Sequence, residues 1–93
     1  MVVTFAYKNR GEAERLQAQG YHVIDCRCLA NPWSNASLRN LPGTDERVIE
    51  YIRKHSREGL IEALLEEAAK HTRVAFGCYG GHHRSVAMAQ LLK

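Results

Sequence analysis

The stretch RVAFGCYGGHHRS, residues 73–85, joins an apolar run to a glycine pair and a cluster of cationic side chains. Arg73–Gly77 predicts a buried strand, residues 78–85 predict a tight loop, and Val86–Leu92 predicts a helix. The backbone N–H groups of such a loop converge on one point, where the helix N-terminus adds partial positive charge. These features favour an oxyanion site over the alternative, a plain strand-to-helix turn with a solvated His-His-Arg face.

Every residue of this loop is a candidate ligand contact: Cys78, Tyr79, Gly80, Gly81, His82, His83, Arg84 and Ser85. We expect Arg84 to clamp phosphoryl oxygens with two parallel N–H donors. We also expect Gly80 and Gly81 to adopt positive φ and to let the backbone approach the ligand closely.

The length of 93 residues, with 45% apolar and 25% charged residues, is that of one globular domain covering residues 1–93. So small a chain buries a modest core, and we expect a homo-oligomer or association with a larger partner. The net charge of +3 suits a phosphorylated small molecule or RNA and requires neither. Because no run reaches membrane length and no signal peptide pattern opens the sequence, we expect a cytoplasmic protein, without membrane contact, whose three cysteines are reduced.

Strand and helix patterns alternate along the chain. The predicted elements are a strand at Val2–Ala6, a helix at Gly11–Gln19, a strand at Tyr21–Arg27, an irregular loop at 28–44, a helix capped by Thr44 or Asp45, a helix at Glu58–His71, and the strand and helix of residues 73–92. This order predicts a small α/β fold, a three-layer and mostly parallel sheet of about three strands with helices on its faces.

Ligands of open parallel sheets bind beyond the carboxyl ends of the strands. In this chain those ends carry Lys8, Asp25, Arg27 and the loop at 78–85, so we expect these segments to meet at one rim. Asp25 and Arg27 lie two residues apart on a strand and face the same side of the sheet. They either pair with each other or face a ligand.

The loop also fits a second template. Cys78, Gly81, Arg84 and Ser85 match C-x-x-G-x-x-R-S, the spacing of cysteine-dependent phosphatases. In such enzymes the loop lowers the pKa of the thiol, and the thiolate attacks phosphorus. Here Gly77 stands where many of them have histidine, and Asp25 and Asp45 are the only candidates for protonating a leaving group. Cys78 is therefore either a nucleophile or a small, partly buried residue at a strand end.

A metal site is a third interpretation of the same region. Its ligands would come from Cys26, Cys28, Cys78, His82 and His83. Their spacings are not those of the common structural zinc motifs, because neither cysteine pair is C-x-x-C. We predict no metal and no other cofactor.

Four ordered blocks cover nearly the whole chain. They are Phe5-x-Tyr7-Lys8, then Asp25-x-Arg27-x-Leu29-x-Asn31-Pro32-Trp33, then Leu38-Arg39-x-Leu41-x-Gly43-x-Asp45, and finally Gly77-Cys78-x-Gly80-Gly81-x-His83-Arg84-Ser85-Val86. Together they resemble the C-terminal domain of the RNase adapter protein RapZ and its bacterial relatives. The resemblance implies a domain that binds a phosphorylated amino sugar, glucosamine-6-phosphate, contacts small regulatory RNA and self-associates. Within the matched blocks, Asp25, Arg27, Asn31 and Arg39 join the loop residues as candidate ligand contacts.

The chain departs from the family pattern in several places. The long members carry a nucleotide-binding domain with a P-loop, and the sequence contains no G-x-x-x-x-G-K-[ST] motif, so ATP or GTP hydrolysis is not expected. Tyr79 stands where the family usually has threonine, and His82 where it has lysine or glutamine. The sequence ends at Lys93, before the family's basic tail, which weakens the expectation of RNA contact. A phosphosugar-binding module, an RNA adapter and a Cys78-dependent phosphatase remain three open functions.

Overall fold

The computed structural model describes all residues from 1 to 93 and contains three strands and four α-helices. The elements are β1 (Val2–Ala6), α1 (Glu12–Ala18), β2 (His22–Asp25), a 3-10 helix (Pro32–Ser34), α2 (Glu46–His55), α3 (Leu60–Ala69), β3 (Val74–Cys78) and α4 (Arg84–Leu92). Their order is the predicted one. No helix has the length and apolar character needed to cross a membrane.

The sheet has the order β1-β3-β2, and both neighbouring pairs are parallel. All residues of the central strand β3 are buried, as expected for a parallel strand covered on both faces. Phe5 of β1 and Asp25 of β2 both lie opposite Gly77, so the three strands end at nearly the same level. The carboxyl ends of all three strands therefore form one edge of the sheet.

Helices cover both faces of the sheet, which confirms the small three-layer α/β fold. On one face, Leu16 of α1 packs with Phe5, Tyr21 and Ala75. The other face carries a larger core, and its fully buried side chains include Val48, Ile52, Phe76, Ile24 and Met88. This second layer consists of α2, α3 and α4.

Several predicted element ends shift by one or two residues. Strand β2 ends at Asp25, because the Asp25 carboxylate accepts the N–H of Arg27 at 2.9 Å and turns the chain out of the sheet. Helix α3 begins at Leu60, because Gly59 has a left-handed φ of 81°. Asp45 caps α2 by accepting the N–H of Arg47 at 2.9 Å.

Candidate functional site

Backbone hydrogen bonds join the three segments that follow the strands. The N–H of Tyr7 donates to the carbonyl of Cys78 at 2.9 Å, and Lys8 donates to Tyr79 at 3.0 Å. On the other side of β3, Cys26 donates to Gly77 at 2.7 Å. The residues after β1 and β2 thus flank the loop after β3, at the edge where a parallel sheet places its ligands.

The loop between β3 and α4 leaves its amide groups without carbonyl partners. The backbone N–H groups of residues 79–83 donate to no carbonyl oxygen of the protein, and they lie at the N-terminus of α4. Such a run of donors at a helix start is suited to an oxyanion. Of the two glycines predicted to have positive φ, only Gly81 does, at 73°, and the prediction for Gly80 is wrong. A side chain on Gly81 would also press on Ala6, because its Cβ would lie 3.1 Å from the Cβ of Ala6.

Arg84 is only 8% exposed at the first position of α4 and already supports the neighbouring loop. Its Nη1 donates to the carbonyl of Arg27 at 2.9 Å and reaches that of Leu29 at 3.5 Å. Its Nε and Nη2 atoms donate to no protein atom. The guanidinium therefore supports the loop after β2 through Nη1, and Arg84 also lines the cavity described below.

The two loop histidines hold the segment before α2. The His83 ring is buried, and its Nε2–H donates to the carbonyl of Leu41 at 2.8 Å. The carbonyl of His82 accepts the N–H of Gly43 at 3.1 Å. A Cβ on Gly43 would come within 2.6 Å of the His83 carbonyl, so the two segments pack backbone to backbone. Sequence reasoning treated His83 as a ligand contact and missed this structural role, which joins residues far apart in the chain.

Cys78 and Ser85 form a buried pair beneath the loop. The Sγ of Cys78 lies 3.3 Å from the Oγ of Ser85 and accepts the Ser85 N–H at 3.4 Å. Burial is the largest single influence and raises the pKa of the Cys78 thiol, but the hydrogen bonds from Ser85 and Gly81 and the charge of Arg84 together bring it below its ordinary value. The neighbouring Cys26 thiol has a raised pKa, mainly because of burial. Of the two, Cys78 is the thiol whose ionised form its surroundings favour.

A cavity of about 470 Å³ opens on this loop. Its lining residues are Lys8, Asn31, Trp33, Cys78, Tyr79, Gly80, His82, His83 and Arg84. The volume lies in the range of small-molecule sites. We call this the loop cavity. Its lining contains cationic and neutral side chains and no carboxylate.

Some predicted site residues lie outside the loop cavity. Asp25 and Arg27 pair with each other, with Arg27 Nη2 2.7 Å and Nε 3.0 Å from the two carboxylate oxygens, and neither lines the cavity. The Arg27 guanidinium also lies 3.7 Å from the centre of the Tyr7 ring. Hydrogen bonds from Arg27 hold the pKa of Asp25 below its ordinary value. Of the two alternatives that the sequence left open for this pair, mutual pairing is the arrangement in the structure.

Arg39 lines a second cavity, also about 470 Å³, which shares Trp33, His82 and His83 with the loop cavity. Its Nε donates to the carbonyl of Trp33 at 2.9 Å. Gly81 lines this second cavity rather than the first, and Ser85 is fully buried. Asn31 lines the loop cavity and caps the 3-10 helix by accepting the N–H of Trp33 at 3.2 Å.

Elsewhere the chain offers no comparable group of predicted residues. A shallower depression of about 780 Å³ runs along α2 and contains none of the candidate contacts. No three His, Cys, Asp or Glu side chains lie together in a way that could hold a metal ion.

Fold and site together define a small parallel α/β domain with a glycine-bearing loop and a buried arginine at the start of its last helix. Residues 1–93 match the family described as the RapZ C-terminal domain over their whole length. The chain belongs to this family.

Similar proteins are much longer than this chain. A nucleotide-binding protein of Cereibacter sphaeroides is 40% identical over an alignment of 103 residues, which covers 98% of this chain and 32% of that protein. Nucleotide-binding proteins of a Ruegeria species and of an Azoarcus species are each 38% identical over 82 residues, covering 75% of this chain and 27% and 28% of their own lengths. The chain therefore spans about a third of the length of the curated relatives that it matches most fully.

Proposed function

We propose that this chain is a binding module for a small phosphorylated molecule, whose phosphate lies against the loop at 79–83 and the start of α4. The observation that carries the proposal is that the backbone N–H groups of residues 79–83 have no carbonyl partners, in a loop whose cavity Arg84 also lines. Of these groups, only the N–H of Gly81 is used within the protein, by the Cys78 thiol. Hydrogen bonds to an ionised acceptor are about twice as strong as neutral ones, so a phosphate gains more from these donors than a neutral group does.

The charge of the loop cavity supports an anionic ligand. Lys8 and Arg84 line it, His82 stands at its edge, and no carboxylate opposes them. Membership of the RapZ C-terminal domain family makes a sugar phosphate resembling glucosamine-6-phosphate the ligand class that we propose. Contact with small regulatory RNA and self-association stay predictions from that family.

Calorimetric titration tests the proposal directly. We expect saturable binding of glucosamine-6-phosphate and glucose-6-phosphate, and a raised thermal midpoint in their presence, because a ligand of the folded state stabilises it by mass action. Unphosphorylated glucosamine serves as the control and is not expected to bind. Equal binding of glucosamine and its phosphate would contradict a phosphate site.

Asp25 is the residue that we propose for binding the ammonium group of an amino sugar phosphate. It is the one carboxylate among the candidate contacts, the charge of Arg84 contributes to lowering its pKa, and its side chain is 45% exposed beside Arg27. We expect Asp25→Asn to weaken binding of glucosamine-6-phosphate about fivefold more than binding of glucose-6-phosphate, since only the first offers an ammonium group to a carboxylate. Calorimetry on both sugars measures the difference. Equal losses would remove Asp25 from amine recognition and leave it as the partner of Arg27.

A phosphatase is the second candidate function, because Cys78 lines the loop cavity and its thiol pKa is lowered. A phosphatase also needs a general acid that protonates the leaving group, and neither candidate suits this role. Hydrogen bonds from Arg27 and Arg47 lower the pKa of Asp25 and Asp45 respectively, whereas a general acid working near neutral pH needs a raised one.

We therefore expect negligible hydrolysis of p-nitrophenyl phosphate, and near-parental affinity for glucose-6-phosphate in Cys78→Ser, where the new hydroxyl still faces Ser85. Cys28→Ser, a substitution of the exposed cysteine outside the cavity, is the matched control. A hydrolysis rate well above background that disappears in Cys78→Ser but persists in Cys28→Ser would establish the enzyme instead.

A further inference from the structure

Two exposed aromatic side chains stand at the loop cavity. The large apolar residues that the chain leaves most exposed are Met1, Val2, Trp33 and Tyr79. Of these, Trp33 is 56% exposed and Tyr79 is 62% exposed, and both line the loop cavity beside Arg84. Exposed aromatic area next to a cluster of polar donors is typical of a ligand site, because the rings bind apolar faces and the donors fix orientation.

The backbone around Trp33 is held in place. Trp33 lies in the 3-10 helix, where Asn31 accepts its N–H at 3.2 Å and Arg39 donates to its carbonyl at 2.9 Å. The preceding Pro32 is buried and anchors the turn to the core. The backbone that carries this exposed indole therefore has little conformational entropy to lose on binding, which favours a preformed contact surface.

The Arg39 guanidinium lies over the Trp33 ring. Its central carbon lies 5.1 Å from the centre of the Trp33 ring. Arg39 lines only the second cavity, whereas Trp33 lines both. Trp33 therefore contributes to the wall of the loop cavity, whereas Arg39 does not.

We propose that Trp33 and Tyr79 form a ring-binding surface in the loop cavity, and that they select phosphorylated ligands that carry a pyranose ring. The ring lies with an apolar C–H face against Trp33 while its phosphate lies at the loop. Tyr79, which is 62% exposed and lines the same cavity, adds a second aromatic ring to this surface. The inference rests on the proposed phosphate site and adds to it the two residues that determine which phosphate esters bind.

The chain supplies its own probe, because Trp33 is its only tryptophan. Titration with glucose-6-phosphate is expected to change the intrinsic tryptophan emission, whereas glycerol-3-phosphate, which has the phosphate and no ring, is expected to leave it nearly unchanged. By calorimetry we expect glucose-6-phosphate to bind roughly tenfold more tightly than glycerol-3-phosphate, the size of effect that one well-placed aromatic contact provides.

Substitutions test which side chains give glucose-6-phosphate its higher affinity over glycerol-3-phosphate. Trp33→Ala is expected to reduce this affinity ratio from about tenfold to about twofold, and Trp33→Phe is expected to keep most of it. Tyr79→Thr is expected to reduce the ratio in part. Val2→Ala, which trims another exposed apolar side chain outside the cavity, is the matched control and should leave the ratio unchanged. Thermal unfolding of each variant checks that it remains folded, as expected for exposed positions.

The outcomes separate this inference from the phosphate site. If both esters bind with equal affinity and Trp33→Ala changes neither, the ring-binding surface is refuted and the phosphate site stands. If neither ester binds, both proposals fall. If uridine monophosphate binds more tightly than glucose-6-phosphate and loses that affinity in Trp33→Ala, the ring is a nucleobase, and the assignment of a pyranose is wrong.

Discussion

Replacing Arg84 by alanine is expected to weaken binding of glucose-6-phosphate roughly ten- to hundredfold, the equivalent of a lost charge-assisted contact of about 1.5–3 kcal/mol. The reason is that Arg84 lines the loop cavity and that its Nε and Nη2 donate to no protein atom, which leaves them available to a ligand. The same substitution removes the bonds from Nη1 to the carbonyls of Arg27 and Leu29, so the variant should also unfold at a lower temperature.

Two further variants separate these effects. Arg84→Lys keeps the positive charge and loses the planar set of donors, so we expect an intermediate affinity. Arg39→Ala removes a cation that lines only the second cavity, so we expect the affinity for glucose-6-phosphate to stay close to that of the parent. If Arg84→Ala stays folded at the assay temperature and binds glucose-6-phosphate as tightly as the parent, the phosphate lies elsewhere.

Replacing Gly77 by alanine is expected to destabilise the fold by about 3 kcal/mol, at the upper end of the usual cost of overpacking. Gly77 lies opposite Phe5 in the sheet register, and a Cβ there would overlap the buried Phe5 ring, with the ring carbon Cε1 only 2.6 Å away. Since Phe5 belongs to the core that α1 covers, its ring has no open space to move into. Urea unfolding monitored by circular dichroism measures the change.

Gly80→Ala is the matched control within the same stretch. The nearest atom to its Cβ would be Cδ2 of His82 at 3.5 Å, an ordinary contact, and its backbone φ is not positive. We expect its stability to lie within about 0.5 kcal/mol of the parent. Equal destabilisation by both substitutions would contradict the packing of Gly77 on Phe5. The same crowding explains why this chain cannot carry at position 77 the histidine that many cysteine phosphatases have there.

The local features of this protein follow from short stretches of sequence. The run from Val74 to Ser85 indicates a strand, a turn and a helix start, because apolar periodicity and glycine act over a few residues. Asp45 caps its helix and Gly81 adopts its left-handed conformation for equally local reasons. The parallel sheet follows from the alternation of strands and helices, and with it the meeting of three strand ends at one edge.

Which side chains of the site support the fold and which stay free for a ligand depends on contacts between residues far apart in the chain. Nothing near His83 in the sequence indicates that its ring would donate to the carbonyl of Leu41, and nothing near Arg84 indicates that Nη1 would hold the loop after β2. Sequence analysis did not propose Trp33 as a ligand contact, because its exposure at the loop cavity is visible only in the structure. The single tryptophan in the polar loop at 28–44 is the signal that could have pointed to it.

The sequence by itself determined the strand, the glycine-bearing loop and the helix start at residues 74–92, and the edge of the sheet on which that loop lies, because glycine conformation and strand direction are local properties of the backbone. Only the tertiary structure decided that Asp25 pairs with Arg27 and that Arg39 lines the second cavity and not the loop cavity. Those outcomes depend on the strand order β1-β3-β2 and on the packing of residues 28–44 over the loop, and a side chain's partner is set by what the fold brings within about 3 Å of it.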